Sequence, residues 1–203
     1  MKLPLKLKVP DIDLKTTTQD ILKYTKLIIV LYIALTTTEW VIHKYIMHNR
    51  AGVIINRTYG KTHLNYHKKI DNELHLDSDS PLSIIFMDAI AFLIMLMTIF
   101  IVFNIIINHL DIPLFRFKLG LNTLTVLKIS LGITFFYKFI RDYLHYKIHE
   151  IPTLFNIPIP RSYLNWVTQR QRLHHLHSGD GNFNIVVPGG DIIFNDNITS
   201  SKK

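Results

Sequence analysis

Four short segments of this chain are dense in histidine. They read HKYIMH at 43–48, HLNYH at 63–67, HYKIH at 145–149 and HHLH at 174–177. Only two of the eleven histidines, His75 and His109, lie outside these segments. Neutral imidazole is the commonest side-chain ligand for transition metals near pH 7. The clustering therefore predicts a metal centre built from several parts of the chain, and His75 and His109 are expected to be ordinary polar residues.

The spacing within the segments indicates which histidines can share an ion. Side chains four residues apart lie on one face of an α-helix, so His145 and His149 are expected to chelate one ion. Residues five apart differ by about 140° on an α-helix. His43 and His48 are therefore expected to point at different ions if they are helical, and the adjacent pair at 174–175 also diverges. Chelating and divergent pairs together predict a two-metal centre.

Two carboxylates stand close to these histidines in the sequence. Glu39 is four residues before His43, and Asp142 is three residues before His145. Each carboxylate would accept the ring N–H of its neighbour and fix the tautomer that binds metal. The alternative interpretation of both residues is an ordinary polar group at a membrane interface.

Apolar segments separate the histidine segments. A helix needs about 20 apolar residues to cross a bilayer. Residues 82–107 are the clearest candidate, 121–140 a good one and 27–47 the weakest. The alternative for the two weaker segments is a buried core helix of a soluble protein. The predicted fold is all-α: an integral membrane helical bundle of three to four spans, with a histidine-lined di-metal site on one face.

Charge and composition restrict the partners and the chemistry. Lys and Arg are concentrated beside the histidine segments, which predicts that this face is cytosolic. The net charge of +8 favours anionic headgroups over nucleic acid, because the chain has no basic run interleaved with aromatic residues. The chain has no cysteine, so thiolate metal sites, iron–sulfur clusters and a cysteine nucleophile are excluded.

The predicted domain organisation is simple. Residues 1–22 form a polar or interfacial segment, 23–195 form the membrane domain, and 196–203 form a disordered tail. The N-terminal residues have neither the long apolar stretch nor the cleavage site of a signal peptide.

The four segments, in this order, resemble the histidine motifs of the membrane-bound fatty acid hydroxylase superfamily, which includes sterol desaturases. The resemblance runs from about residue 25 to residue 195 and includes NFNIVVPGGDIIF at 182–194, similar to the family's Asn-aromatic turn and P-x-x-D-x-x-F ending. It implies a non-haem di-iron enzyme that uses O2 to hydroxylate a C–H bond in a membrane lipid, such as a fatty acyl chain or a sterol. It also implies a separate electron donor such as cytochrome b5 and, in a eukaryote, the endoplasmic reticulum. Zinc is expected as an alternative metal in purified protein.

The same resemblance distributes the ligands between two ions and implies no catalytic residue beyond them. One ion takes His48, His67, His145, His149 and His175, and the other takes His43, His63 and His174. Two further positions, where the family has ligands of the second ion, are Tyr66 and Gln171 here. Three explanations stay open: these two residues ligate through oxygen, His177 or His75 replaces them, or the second site is weak or empty.

Three other functions remain as alternatives. A membrane acyl desaturase uses related histidine motifs, usually in a longer chain. A catalytically altered or inactive relative with one degenerate metal site would explain Tyr66 and Gln171. A b-type cytochrome needs only two axial histidines and leaves the others unexplained. A zinc peptidase is disfavoured, because the sequence has no HExxH motif.

Overall fold

Regular structure in the described part of the chain is helical. The computed structural model describes residues 14–48, 63–65, 67–68, 74, 94–98, 123–151, 156–177 and 179–200. Helix α1 spans Leu14–Val41 and continues as a π-helical segment, Ile42–Met47; α2 spans Thr123–Ile148, α3 Arg161–Leu176 and α4 Gly189–Ile193. No strand occurs within these ranges, so the all-α prediction is confirmed for them. Tyr66, His75 and His109 lie outside the described residues, as does most of the predicted span 82–107, of which 94–98 are helical.

Helix α1 and the π-helical segment together are long enough to cross a bilayer. The stretch Thr18–Met47 has 30 residues and is the one helix in the described ranges with the length and apolar composition that a span requires. The segment that the sequence ranks as the weakest candidate, 27–47, belongs to this helix. Its start at Leu14 also means that residues 14–22 of the predicted polar segment are helical.

The core between α1 and α2 uses one face of each helix. Leu27, Leu31 and Leu35 are buried at four-residue intervals, which puts them on one stripe of α1. They share a core cluster with Val126 and Tyr137 of α2. The remaining faces of the two helices expose large apolar side chains: Ile21, Leu22, Ile28, Ile29, Ile33, Leu124, Leu127, Leu131, Phe135, Phe136 and Phe139. An exposed apolar area of this kind is typical of a surface that contacts lipid or another protein.

Helix α3 packs against the C-terminal half of α2. Leu144 and Ile148 of α2 form a second core cluster with Val167 of α3, and Leu74 and Ile185 complete it. The segment between the two helices carries three prolines, which disfavour a helix, and its described parts, 149–151 and 156–160, are not helical.

Two adjacent glycines let the short helix α4 lie directly on α1. A Cβ at Gly189 would overlap the hydroxyl of Thr36, and a Cβ at Gly190 would lie 2.5 Å from the Cβ of Trp40. Glycine permits left-handed backbone, but Gly179 is the one described glycine with positive φ, at 74°. At 189–190 glycine is needed for the close approach of two backbones instead.

The residues after α4 return to α1. The indole N–H of Trp40 donates to Asp196 Oδ2 at 2.8 Å, and Lys44 pairs with the same carboxylate at 2.6 Å. The backbone N–H of Ile198 donates to Asn182 Oδ1 at 2.9 Å. The prediction of a disordered tail from residue 196 is therefore wrong for 196–198, because these residues are bound to the helical body.

We expect Gly190→Ala to lower the free energy of unfolding by about 1–3 kcal/mol, the usual cost of overpacking, because the new methyl group must push α4 away from α1. Thermal unfolding in detergent, followed by circular dichroism, measures the change. Gly132→Ala in α2 is the matched control, since a Cβ there meets nothing within 4 Å. Alanine favours a helix over glycine by about 1 kcal/mol, so the control should be equally or more stable. Wild-type stability of Gly190→Ala would contradict the contact between α4 and α1.

Candidate metal centre

Five histidines from three of the histidine segments converge into one cluster, the five-histidine group. Its members are His43, His48, His63, His67 and His174, and their ligand atoms all lie within 4.8 Å of one another. Four of the rings are buried and that of His67 is half-buried. Five imidazoles from separate parts of the chain are thus close enough to bind a metal ion, as the clustering in the sequence predicts.

The Nε2 atoms of this group face each other. His63 Nε2 lies 2.9 Å from His67 Nε2 and 3.2 Å from His43 Nε2. His48 Nε2 lies 3.2 Å from His174 Nε2. A neutral imidazole carries one proton on its two nitrogens, so His63 has at most one N–H at Nε2 to share between two neighbours. Five ring nitrogens thus converge on one small space.

Backbone carbonyls fix the tautomers of two rings. His43 Nδ1 lies 2.6 Å from the carbonyl oxygen of Phe183, and His174 Nδ1 lies 2.6 Å from that of Gly181. A carbonyl oxygen only accepts hydrogen bonds, so each Nδ1 carries the proton and each Nε2 presents a lone pair to the group. Outer hydrogen bonds of this kind orient histidine ligands in metal sites. The donor set therefore fits a metal ion.

The π-helical segment places His43 and His48 in the same group. The backbone N–H of His48 donates to the carbonyl of His43 at 3.1 Å, an i→i+5 bond that makes the two residues neighbours along one turn. Their rings stack with centroids 5.2 Å apart. The prediction that these residues point at different ions assumes α-helical periodicity, and the π-helical turn places both of them in the five-histidine group instead.

Three further histidines form a second cluster beside the first, the three-histidine group. His145 and His149 lie at the end of α2 with ring centroids 4.9 Å apart, on one face as their spacing predicts. His175 lies 5.3 Å from His149 between ring centroids. The carbonyl of Leu74 accepts from His149 Nδ1 at 2.8 Å, which leaves Nε2 of that ring as a lone pair. The rings of His67 and His175 are 4.1 Å apart, so the two groups adjoin.

The structure brings all eight predicted histidine ligands together, but divides them differently from the resemblance. His48 and His67, which the resemblance assigns to the ion of His145, lie in the five-histidine group. His174 and His175 diverge as predicted, with ring planes at 86°.

The candidate ligands outside the eight histidines have different outcomes. Gln171 is buried on α3, and its amide nitrogen lies 3.2 Å from Nε2 of His175, a member of the three-histidine group. His177 is half-buried, and it contributes no atom to the five-histidine group. Its Nε2 is buried and has no hydrogen-bond partner among the described residues.

Burial keeps four of the clustered imidazoles, those of His63, His67, His149 and His175, neutral. Desolvation lowers the pKa of His63, His67 and His175 far below the usual value for histidine, and neighbouring imidazoles lower it further. Burial also lowers the pKa of His149 to about 4. A neutral ring has a free lone pair for a metal, whereas a protonated ring has none. Near pH 7 these histidines therefore offer ligand atoms and not positive charges.

Phe183 covers one side of the five-histidine group. Its side chain is fully buried. Its ring lies edge-on to His43, His48 and His174, with centroids 5.6, 5.8 and 5.7 Å away. An aromatic ring in this position keeps water from these imidazoles and limits their rotation.

A buried carboxylate holds the loop that carries Phe183. Asp191 accepts the backbone N–H groups of Phe183 at 2.8 Å and Asn184 at 3.0 Å, and Arg170 donates to it at 2.8 Å. The backbone N–H of Asp191 returns a bond to Asn184 Oδ1 at 3.0 Å. Asn184 and Asp191 thus hold this loop together, and the sequence motif that contains Asp191 gives no indication of this role.

Glu39 holds the same loop from α1. It accepts from Asn184 Nδ2 at 2.9 Å, from the backbone N–H of Ile185 at 3.3 Å and from the hydroxyl of Tyr137 at 2.6 Å. The predicted hydrogen bond from His43 to Glu39 is wrong, because His43 donates its Nδ1 proton to the loop carbonyl instead. Glu39 thus supports the histidine through the loop.

Asp142, the other predicted supporting carboxylate, accepts from two cations on α2. Lys138 pairs with it, and Arg141 donates to it at 3.0 Å. Arg141 also lies 3.4 Å from Glu39, so the two carboxylates share one cation. The direct support of His145 by Asp142 stays a prediction.

Comparison of the chain with protein-family models, with curated proteins and with solved structures finds no match. The function is therefore argued from the residues and geometry of the centre.

Gly179 lies against the ring of His48. Its φ is 74°, in the region that favours glycine, and its N–H donates to the carbonyl of His174 at 2.8 Å. A Cβ at this position would overlap the imidazole of His48. A glycine just after a helix is a signal for such a turn in the sequence, but its contact with a ligand is visible only in the structure.

We expect Gly179→Ala to weaken metal binding by the five-histidine group at least tenfold, because the methyl group displaces His48. This loss is on the order of the effect of removing an outer hydrogen-bond partner of a ligand. Titration of the metal-free, detergent-purified protein with Co²⁺ or Zn²⁺ measures the affinity. Gly132→Ala, whose new Cβ meets nothing within 4 Å, should bind like the wild type. Wild-type affinity of Gly179→Ala would mean that His48 is not a ligand in the position described.

Proposed function

We propose that the protein is an integral membrane oxidoreductase that hydroxylates a C–H bond of a membrane lipid with O2 at a non-haem di-iron centre. The observation that carries the proposal is the meeting of eight histidines in two adjoining groups. In three of these rings, those of His43, His149 and His174, a backbone carbonyl holds the proton on Nδ1 and leaves Nε2 with a lone pair.

The five-histidine group would hold one iron and the three-histidine group the other. When bound, the irons supply the reduction of O2 that drives oxidation of an unactivated C–H bond. The same imidazoles accept several divalent ions, so zinc would occupy them in protein purified without added iron.

The chain itself supplies positioning and exclusion of water. Phe183 shields the five-histidine group, and the carbonyls of Phe183 and Gly181 keep the protons of His43 and His174 on Nδ1. These protons point away from the lone pairs. The ligand atoms therefore stay available without any proton having to move first.

Apolar surroundings support a lipid as the substrate. A small cavity beside His43 is lined by Ile42, Met47 and Met95, with charged residues of α1 and α2 on its other side. The exposed apolar faces of α1 and α2 suit lipid chains, and the 30-residue stretch Thr18–Met47 suits a span. A fatty acyl chain or a sterol would approach the centre from the bilayer between such helices.

The wider arrangement completes the proposal. Three to four spans would place all histidine segments on the cytosolic face, in the endoplasmic reticulum if the organism is a eukaryote. The reaction requires electrons from outside the chain, so a separate donor such as cytochrome b5 belongs to it.

A catalytically altered relative is the second candidate function. It is favoured by Gln171, a neutral amide beside His175, at a position where the resembled family has a metal ligand. In such a protein the metals would bind, and lipid would not be oxidised.

We expect His174→Ala and His149→Ala each to reduce O2-dependent lipid oxidation at least 100-fold, because each removes a ligand from a different group. Iron-loaded protein in lipid nanodiscs with a reductant is assayed by mass spectrometry of the lipids, which separates hydroxylated from desaturated products. His149→Ala should keep the ion of the five-histidine group, measured by elemental analysis.

Arg172→Ala is the matched control, since this exposed residue lies on α3 close to the ligands. It should retain wild-type activity and metal content. Wild-type protein that holds two irons and yet leaves every lipid unchanged would contradict the oxygenase proposal and favour the altered relative. Full activity of His149→Ala would contradict the role of the three-histidine group.

A further inference from the structure

Helix α4 and the residue after it expose three large apolar side chains, which together form the α4 tip. Ile192, Ile193 and Phe194 are 63%, 54% and 43% exposed. They follow one another in the sequence and therefore lie side by side on the surface. A contiguous apolar surface of this kind marks a contact with a membrane or with a partner.

The two carboxylates of the same segment face the opposite way. Asp191 is fully buried and accepts from Arg170 at 2.8 Å. Asp196 accepts from the indole N–H of Trp40 and pairs with Lys44. A segment that lies in water normally turns its charges outward and its large apolar groups inward. Here the carboxylates are inside and the apolar side chains outside, which fits an apolar medium around the tip.

The position of α4 along α1 indicates the depth of the tip. The two glycines of α4 pack on Thr36 and Trp40, which belong to the stretch Thr18–Met47. At about 1.5 Å per residue, these contacts lie roughly 10–16 Å before the end of that stretch. The headgroups of a bilayer occupy about 6 Å on each side of the hydrocarbon. When this stretch spans the bilayer, the tip therefore lies where the acyl chains begin.

Aromatic rings and a lysine surround the tip at this level. Phe194 stacks on Trp40 with ring centroids 3.9 Å apart, and Tyr45 lies edge-on to the same indole at 5.5 Å. Lys44 Nζ lies 4.6 Å from the centre of the indole. Trp and Tyr are enriched where headgroups meet acyl chains, and a lysine there extends its ammonium towards the headgroups. This combination favours lipid over another protein as the occupant of the surface.

We propose that the α4 tip inserts into the bilayer beside α1, so that Ile192, Ile193 and Phe194 contact acyl chains just below the headgroups. The inference rests on the integral-membrane part of the proposed function, and it does not depend on metal binding or on lipid oxidation. The tip is a point of membrane contact additional to the spans.

The inserted tip is connected to the metal centre through one residue. Asp191, directly before the tip, accepts the backbone N–H of Phe183 at 2.8 Å. The carbonyl of Phe183 in turn accepts from His43 Nδ1 at 2.6 Å. Contact of the tip with lipid therefore holds α4, and with it the loop that orients this ligand, in a fixed position relative to α1.

The absence of cysteine from the chain allows a direct test. Full-length Ile193→Cys is labelled with the fluorophore NBD and reconstituted in phosphatidylcholine nanodiscs. Groups in a membrane interface lie about 5–10 Å deep, so lipids with a nitroxide near the glycerol end of the chain should quench this probe at least about twofold more strongly than a probe in water. Iodide, a quencher dissolved in the water, should show the opposite preference.

Two further single-cysteine variants provide the references. Arg172→Cys is the water reference, because Arg172 is an exposed, charged residue of α3. Ile33→Cys is the reference for the span, because Ile33 is exposed on α1 about 21 Å before Met47, near the middle of the bilayer. A nitroxide near the methyl end of the chain should quench the probe at position 33 best. Circular dichroism like that of the wild type shows that each variant is folded.

The remaining outcomes overturn the inference and separate its failure from that of the proposed function. Quenching of the Ile193→Cys probe by iodide, as strong as in Arg172→Cys, would place the tip in water while lipid quenching in Ile33→Cys upholds the span. A probe at 193 that neither quencher reaches would mean that protein, such as a second copy of the chain, covers the tip. Absence of lipid quenching in Ile33→Cys would remove the span and the integral-membrane proposal together with this inference.

Discussion

The geometry of the centre depends on two hydrogen bonds from imidazole N–H groups to backbone carbonyls. His43 and His174 donate through Nδ1 to Phe183 and Gly181, both at 2.6 Å. These carbonyls belong to a loop that has no regular structure of its own. If the loop moved, the rings would lose both their tautomer and their orientation, and the Nε2 atoms would no longer converge. The position of a loop backbone is therefore as important as the histidines themselves.

Two buried carboxylates keep that loop in place. Asp191 holds it from α4 and Glu39 holds it from α1, so the helices that form the core also fix the carbonyls that orient the ligands. Burial and, to a smaller extent, the charge of Glu39 raise the pKa of Asp191 to about 6, while its backbone partners and Arg170 oppose the rise. A buried charge is costly unless it is paired and hydrogen-bonded, and removing one partner leaves the other uncompensated. The packing of α4 on α1 through Gly189 and Gly190 brings Asp191 to the loop, where its carboxylate finds the partners that a buried charge needs.

The sequence predicts the composition of the centre better than its internal geometry. Histidine spacing and order identify all eight clustered rings, since chelation depends on residue type and helical period. The pairing of His43 with His48 is not predictable in this way, because a π-helical turn leaves no pattern in the residues. The acceptors of the Nδ1 protons of His43 and His174 are backbone carbonyls. Every residue has such a carbonyl, so residue type and spacing cannot identify the acceptor, and for His43 they indicate Glu39 instead. Asp196 is held in place by contacts with Trp40 and Lys44, which are far from it in the sequence. No local sequence pattern predicts such contacts.

Three helices end at the centre, and all of them bring their C-termini to it. His43 and His48 lie at the end of α1 and its π-helical continuation, His145 and His149 at the end of α2, and the pair at 174–175 at the end of α3. A helix C-terminus carries about half a negative charge, which stabilises cations placed there. None of the eight clustered side chains is a carboxylate, so the ligands contribute no formal negative charge to offset a metal ion. The converging helix ends supply a negative potential in place of the missing carboxylates. This potential favours metal cations, while the burial of the site keeps the imidazoles unprotonated.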